Sequence, residues 1–401
     1  MVIRRQRRWN VTLAFLLVAV LLVLVTAFNR LEVQQVRSRD GLRPTVASHR
    51  VLQSQGLEST GPGGLRGIRL QGEEAAADKA GLQSAPFKLE VGVYPVNNYA
   101  VNLLDPSYQS TGYIWYRWDQ ALQDYLERNQ LDAGHVFVPV NAIGGSSADA
   151  LRPLQKEPIR LADSRYYALY SYSGKFYIDN LDFHRFPFSG IGLPLAIEAD
   201  NAFLDYRMLR LVPDLRGSAV GGYADISGWV NRGWSFAEYR HQYATNFGLD
   251  AGESSYSQAV FEVAYGSSAW AAFWKLLQPL MVVMVMVVLS SKLPGHLDDV
   301  RLGVPVTVLL TLVFLQQSYQ SSMPTLPYLT FLDKVYVVCF AITLFTFLLS
   351  LWVARRRHQM EHLGDPVLMA AVEARIEVLD NISPPAVLIV MAMAVSLCWL
   401  L

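Results

Sequence analysis

One stretch in the last third of the chain carries side chains at a spacing that could line a path for water and ions. It is apolar over residues 302–315, polar over 316–322, and free of charge between Leu302 and Leu332. On a helix, steps of four and three residues place side chains in one stripe. Six residues follow those steps: Gly303, Thr307, Leu310, Phe314, Gln317 and Ser321.

The apolar part of this stretch is too short for a helix surrounded by lipid. It holds about fourteen residues, whereas crossing the hydrocarbon core takes roughly twenty. The helix could therefore cross a membrane only if one side met water. A stripe with polar ends and a bulky apolar middle predicts a pore lining.

Three more apolar stretches surround this one in the sequence, and together they predict an all-α four-helix transmembrane domain over residues 269–401. The expected spans are residues 271–290, 302–323, 331–354 and 384–401. Between the last two spans, residues 359–382 alternate apolar and charged positions at helical spacing, which predicts an amphipathic helix.

The N-terminus predicts export of the residues after it. Four arginines within residues 4–8 precede an uncharged run over residues 9–28. Residues 1–29 are therefore a signal peptide or a signal-anchor helix, and the sequence leaves both open. Arg355, Arg356 and Arg357 follow the third span and mark a cytoplasmic loop. The prediction is a multi-pass protein of the plasma (inner) membrane, with residues 30–268 on the periplasmic or extracellular side.

Composition narrows the function classes. The 34 basic and 34 acidic residues of this 401-residue chain balance, so bulk charge does not predict nucleic-acid binding. The two cysteines, Cys339 and Cys398, lie in apolar spans, so the exported domain has no disulfide. No His or Cys pair has metal-ligand spacing, and Gly144–Ser147 does not form a nucleophile elbow. The sequence therefore predicts no enzyme, no metal and no cofactor.

The exported part divides into a linker and a folded domain. Residues 30–84 are rich in Gly, Gln, Arg and Ala and show no sustained period, which predicts a flexible linker. Residues 85–268 hold about ten short aromatic and β-branched runs, such as Leu89–Tyr94, Gly112–Trp118 and Gln258–Tyr265. Such runs at regular spacing predict an Ig-like β-sandwich. Helical pattern is confined to about Gln120–Arg128.

Two motifs connect these domains to a known family. The first is Asp182-Phe183-His184-Arg185-Phe186-Pro187-Phe188, and the second is Met323-Pro324-Thr325-Leu326-Pro327-Tyr328-Leu329-Thr330. Four weaker features appear in the expected order: Trp118-Asp119, Pro139, Gly233-Trp234 and Pro279. Over about residues 85–401 the chain resembles the pentameric ligand-gated ion channels, in the prokaryotic branch of the Cys-loop receptors that lacks the disulfide.

The resemblance implies a homopentamer whose two motifs press together and carry the opening movement. It assigns coupling to Asp105, Arg185, Phe186, Pro187, Phe188, Pro324 and Pro327. It also places Leu310 at the hydrophobic gate, with Thr307 one turn below and Phe314 above. Asp298 and Asp299 precede the pore helix, and Asp299 falls where cation-selective relatives carry an acid. The alternative for both acids is a solvated helix N-terminus.

The sequence departs from the family at three points. Ser189 stands where the family has Asp after the Phe-Pro-Phe unit, and Ser267 stands where an Arg is expected before the first channel helix. Arg185 and Asp105 could keep a reduced charge cluster. Pro305 fits a first helical turn, but in a helix that starts near Asp299 it would lie inside and put the position of Gly303 in doubt.

The ligand is the least determined feature. By position, ligand contact is expected from Asn141, Phe203, Tyr206, Trp234 and Tyr256, since aromatic side chains can hold amines by cation–π attraction. Core packing is the simpler interpretation of these aromatic residues. His135 and His241 equally allow proton sensing.

The expected function is a cation-selective pentameric ligand-gated channel, opened from outside by a small molecule or by protons. Its expected partners are four further copies, membrane lipid, the ligand or proton, and inorganic cations. The alternative is a non-conducting membrane-anchored sensor or scaffold of the same fold.

Overall fold

The structure is a computed structural model and describes residues 41–44, 85–145, 147–179, 181–248, 254–267, 269–293, 297–363 and 366–400. Two compact units emerge from the contacts. One is β-rich and includes residues 85–182 and 189–267, and the other is helical and includes residues 269–400. The segment Phe183–Phe188 belongs to the helical unit. The predicted signal peptide or anchor, residues 1–29, lies outside the described residues.

The β-rich unit contains two sheets. The first runs in the order β1 (Gly41–Pro44), β11 (Trp229–Gln242), β12 (Ser255–Ser267), β9 (Gly190–Ala199) and β4 (Phe137–Pro139). The second runs in the order β10 (Leu209–Pro213), β2 (Phe87–Asn102), β3 (Ser107–Trp118), β8 (Tyr166–Tyr177) and β5 (Ala142–Ile143). Two short strands, β6 (Leu151–Pro153) and β7 (Ile159–Arg160), also pair with β8. Pairing is antiparallel except between β10 and β2.

Both sheets contribute to one hydrophobic core because their side chains alternate in period two. In β2 the buried positions include Phe87, Leu89, Val91 and Val93, and in β12 they include Phe261. These side chains belong to a single buried cluster that draws from both sheets. The described part of the unit is thus held by apolar burial rather than by disulfides.

Local signals in the sequence determine α1, the longer of the two α-helices in the described part of this unit. It spans Gln120–Arg128, the range that the sequence predicts. Asp119 caps it, because its carboxylate accepts from the backbone N–H of Leu122 at 3.0 Å. The next helix, α2, is a single turn over Ala133–Val136.

One stretch of the predicted linker is not a linker. Gly41–Pro44 forms β1 and pairs antiparallel with β11, from Gly41 against Gln242 to Pro44 against Tyr239. Nothing in the composition of residues 30–84 marks these four as a strand. Their pairing depends on an edge that only the folded sheet provides.

The described part of the helical unit begins with one helical turn and a widened turn, which are followed by a helix of 13 residues and three longer helices. α3 (Ala269–Ala272) leads through the π-helical turn Phe273–Leu277 into α4 (Gln278–Ser290). Pro279 cannot donate a backbone hydrogen bond, which agrees with a local change of helix type just before it. The long helices are α5 (Asp298–Gln320), α6 (Phe331–Leu363) and α7 (Pro366–Leu400).

Within the described residues, three helical stretches are long and apolar enough to cross a membrane. They are Phe273–Ser290, Phe331–Gln359 and Ala370–Trp399. The predicted second span, residues 302–323, does not reach this level because α5 ends in polar residues and begins with charged ones. The sequence predicts a separate amphipathic helix at residues 359–382, but the described residues of this range do not form a helix of their own. They extend α6 and begin α7, which continues through Pro384 and Pro385.

Candidate pore and coupling site

The predicted stripe on α5 is uncovered along its whole length within one chain. All six residues, from Gly303 to Ser321, are exposed. Leu310 is 57% exposed and Phe314 is 61% exposed. The opposite face of α5 is buried. This helix therefore packs on its neighbours by one face and presents the predicted stripe on the other.

Pro305 lies inside α5, not in its first turn, since the helix begins at Asp298. The proline is on the buried face, where neighbouring helices can accommodate the missing backbone donor. Gly303 keeps its place on the exposed stripe, and an added Cβ there would meet nothing within 4 Å.

Two threonine hydroxyl groups on α5 donate hydrogen bonds to backbone carbonyls of the same helix. Thr307 donates to the carbonyl of Gly303 at 3.0 Å, and Thr311 donates to the carbonyl of Thr307 at 2.9 Å. Such bonds occupy the donor of the hydroxyl and leave its lone pairs and its methyl group facing outward. The Thr307 hydroxyl is therefore already used as a donor within α5.

Polar bonds tie the first turn of α5 to its neighbours. Arg357 of α6 donates to Asp298 at 2.7 Å. Arg301, only 1% exposed, binds both carboxylate oxygens of Asp380 on α7 at 2.9 and 2.5 Å. The predicted selectivity acids are thus not equivalent. Asp298 is engaged by Arg357, whereas Asp299 is exposed and has no ion pair in the described part of the chain.

At the other end of α5, a buried carboxylate joins three segments. Asp333 in the first turn of α6 accepts from the hydroxyl of Tyr319 and from the Gln320 amide at 3.1 Å. It also accepts from the backbone N–H of Thr330 at 3.0 Å and from the Thr330 hydroxyl at 2.8 Å. The Thr330 hydroxyl in turn accepts from the Asp333 backbone N–H at 3.1 Å, so the two residues form a capping box.

The structure brings the two resemblance motifs together inside the helical unit. The rings of His184 and Tyr328 stack with centroids 3.9 Å apart. The Phe183 backbone N–H donates to the Tyr328 hydroxyl at 3.1 Å, and the Phe331 backbone N–H donates to the His184 carbonyl at 2.7 Å. Rings and backbone thus both join the segment before α6 to Phe183–Phe188.

Aromatic contacts extend this attachment to the ends of three helices. Phe186 stacks on Tyr319 of α5 with ring centroids 6.2 Å apart. Phe188 packs against Phe331 of α6 at 6.2 Å and against Trp399 of α7 at 5.7 Å. The segment Phe183–Phe188, in which the sequence predicts coupling residues and which is called the coupling segment below, is thus in direct contact with α5, α6 and α7.

The remaining predicted coupling residues have varied surroundings. The Arg185 guanidinium lies over the Trp399 ring at 5.6 Å. Asp105, in the β-rich unit, forms an ion pair with Lys175 at 2.6 Å, and that hydrogen bond holds the pKa of Asp105 below its ordinary value. The Phe186–Pro187 peptide bond is cis. Pro324 is half-buried and Pro327 is exposed, both between α5 and α6.

The five predicted ligand residues divide among different environments. Trp234 is 1% exposed and stacks on Phe261 in the core, which favours packing over ligand contact. Asn141 bridges strands, because its amide nitrogen donates to the carbonyls of Pro194 at 2.7 Å and Tyr177 at 3.1 Å. Phe203, by contrast, is 73% exposed.

Two of these residues, Tyr206 and Tyr256, are buried tyrosines with specific neighbours. The guanidinium groups of Arg210 and Arg240 lie over the Tyr206 ring at 4.1 and 5.0 Å. Tyr256 packs edge-on against Tyr243, and burial raises the pKa of its hydroxyl. Cations of the protein itself already occupy the surroundings of the Tyr206 ring.

Of the two histidines considered for proton sensing, His135 is exposed beside Asp132 at 3.0 Å. His241 contacts the buried Glu198 carboxylate at 3.0 Å. The same carboxylate accepts from the Tyr243 hydroxyl at 2.8 Å and from the Gln258 amide at 3.0 Å. The sequence does not predict this cluster, since Glu198 is more than 40 residues away from each of its three partners.

Comparison with protein-family models finds no match, and comparison with curated proteins finds none either. Neither comparison therefore assigns this chain to a family. Its function is inferred from the motifs and from the geometry of α5 and its attachments.

Proposed function

We propose that the protein is a cation-selective channel of the pentameric ligand-gated type, with an Ig-like ligand domain and four helices per subunit in the membrane. An exported ligand domain responds to a small molecule or to protons. Five α5 helices surround the pore, and the other three helices of each subunit shield them from lipid.

The observation that carries the proposal is the uncovered stripe on α5. Among the three long helices, this one holds no stretch that is long and apolar enough to cross a membrane, and it exposes Leu310 and Phe314 together with Thr307 and Gln317. A helix of mixed polarity is costly against lipid but fits a wet axis made by several copies. One chain has a single striped helix and cannot enclose a pore, so assembly is required.

In the proposed mechanism the closed state is an apolar constriction. Rings of Leu310 and Phe314 from five subunits form a bore that does not hold water. Ligand binding outside shifts the closed–open equilibrium. The shift reaches α5 through the contacts of Phe186 with Tyr319 and of His184 with Tyr328. At the inner mouth, Asp299 forms the ring that attracts cations.

Cysteine labelling tests whether the stripe meets water. We expect Thr307→Cys, Leu310→Cys, Phe314→Cys and Gln317→Cys to react with a water-soluble thiol reagent in proteoliposomes, because all four face the proposed pore. Val308→Cys and Leu312→Cys, on the buried face, stay unreactive. Ion flux is measured on the same samples.

Two controls sharpen this experiment. Cys339 and Cys398 are both free and buried and are first replaced by alanine. Leu344→Cys on α6 is the matched control, since Leu344 is 50% exposed in the single chain but faces lipid in the proposed assembly. Equal labelling at Leu344 and Leu310 would contradict the pore assignment. Absence of flux with intact labelling would favour the non-conducting sensor.

A further inference from the structure

A groove of about 500 Å³ opens at the end of the helical unit where α4 stops. Lys292 and Leu293, just after α4, form one wall. Glu373 and Glu377 of α7 form another, and Arg357 of α6 also lines the groove. The channel mechanism uses none of these side chains apart from the Arg357 contact with Asp298.

The opposite charges around this groove do not pair with each other. The Lys292 ammonium donates to the neutral amide oxygen of Asn381 at 2.9 Å. Glu373 and Glu377 are exposed, and within the described residues no ion pair engages either of them. An ammonium keeps two further donors after one bond. The groove therefore offers free donors on one side and free acceptors on the other.

The two glutamates lie four residues apart and so face the same way on α7. Like charges at this spacing disfavour the helix, and no residue of the described chain neutralises them. A positive group held between the two carboxylates would remove that repulsion. Lys292 in turn would attract a negative group, and Arg357, which is already paired with Asp298, lies beside it.

The groove lies near the ends of the candidate spans, and Glu373 and Glu377 fall within the first eight residues of the third, Ala370–Trp399. The first candidate span ends at Ser290, two residues before Lys292. On α6, the Arg356 guanidinium lies over the exposed Trp352 ring at 5.9 Å, and tryptophan and arginine concentrate at this interface. Exposed apolar side chains, including Ile382 and Ile389, continue along α7 from the groove. The head group of a lipid could therefore bind in the groove while its acyl chains lie against the apolar side chains of α7.

We propose that this groove binds the head group of a phosphatidylethanolamine-type lipid. Its phosphate contacts Lys292 and Arg357, and its primary ammonium contacts Glu373 and Glu377. This inference depends on the membrane location of the helices and not on channel activity.

The charges also select against other common lipids. A primary ammonium carries three N–H donors for carboxylates, whereas the quaternary ammonium of a choline lipid carries none. An anionic glycerol lipid has no cation to offer and meets two repelling carboxylates. Recognition therefore requires both charges and the donor hydrogens together.

Native mass spectrometry of the full-length protein in detergent tests the proposal without any flux measurement. Dioleoyl phosphatidylethanolamine, phosphatidylcholine and phosphatidylglycerol are titrated separately at equal concentrations. We expect the ethanolamine lipid to bind with a Kd about tenfold lower than the other two, the scale of one charge-assisted hydrogen bond. Glu373→Gln/Glu377→Gln together should abolish this preference, whereas Lys292→Gln should weaken the binding of all three lipids, because each of them carries the phosphate.

The matched control is Lys275→Gln, which removes a lysine near the other end of the α3–α4 stretch and should leave the preference unchanged. Because Glu373, Glu377 and Lys292 are exposed, their substitution should leave folding intact. Equal binding of the three lipids, or an unchanged preference in the double variant, overturns the proposal. Displacement of the lipid by soluble phosphoethanolamine at comparable concentration would show that the groove recognises a soluble molecule instead.

Discussion

Replacing Leu310 by serine is expected to open the channel without ligand or to make activation much easier. The side chain is exposed on the α5 stripe, at the centre of the proposed constriction. A hydroxyl there holds water in a bore that an isobutyl group keeps dry. If each subunit loses about 1 kcal/mol of apolar contact in the closed state, five copies lose about 5 kcal/mol. That is close to the roughly 5.5 kcal/mol that inverts a 1:99 equilibrium.

The measurement is cation flux into proteoliposomes, with and without candidate ligands and at several pH values. Leu348→Ser is the matched control, because Leu348 on α6 is 53% exposed and faces lipid in the proposed assembly. We expect Leu310→Ser to leak and Leu348→Ser to behave as the unmodified protein does. A wild-type response of Leu310→Ser, with the protein correctly inserted, would remove Leu310 from the gate.

Local patterns in the sequence anticipate much of the fold. The strand runs recur as β2, β3 and β12, and α1 has its predicted bounds, because alternation and capping act over a few residues. The α5 stripe is likewise local, since helical spacing alone decides which side chains share a face. That face is the exposed one in the structure.

Features that depend on distant residues could not be predicted in this way. The Arg301–Asp380 pair joins positions 79 residues apart, and no local pattern selects Asp380 among the acids of the chain. The partner of β1 is a strand edge that exists only after folding. Residue type alone also could not predict that Trp234 is buried in the core whereas Phe203 is exposed, since both are aromatic.

The cluster around Asp333 was predictable from the sequence only in part. Its capping box with Thr330 is a local pattern, Thr-x-x-Asp before an apolar run, that the sequence displays openly. Its hydrogen bonds to Tyr319 and Gln320 depend on the conformation of the loop that connects α5 to α6, which no local pattern predicts. One carboxylate thereby fixes the C-terminal end of α5 to the start of α6.

Replacing Asp333 by alanine is expected to destabilise the helical unit and to disconnect α5 from the coupling segment. Tyr319 and Thr330 are both buried, so their donors would lose a partner that water replaces poorly. At about 1–3 kcal/mol for each unsatisfied buried donor, the loss is roughly 3 kcal/mol.

The thermal unfolding midpoint in detergent should fall, and ligand-evoked flux should decline more than assembly does. Tyr319→Phe removes only one of these bonds and should show a smaller decrease of the midpoint. Equal midpoints for Asp333→Ala and the unmodified protein would mean that this carboxylate does not hold the two helices together. Because Phe186 stacks on Tyr319, a loosened Tyr319 should also weaken coupling in any variant that still assembles.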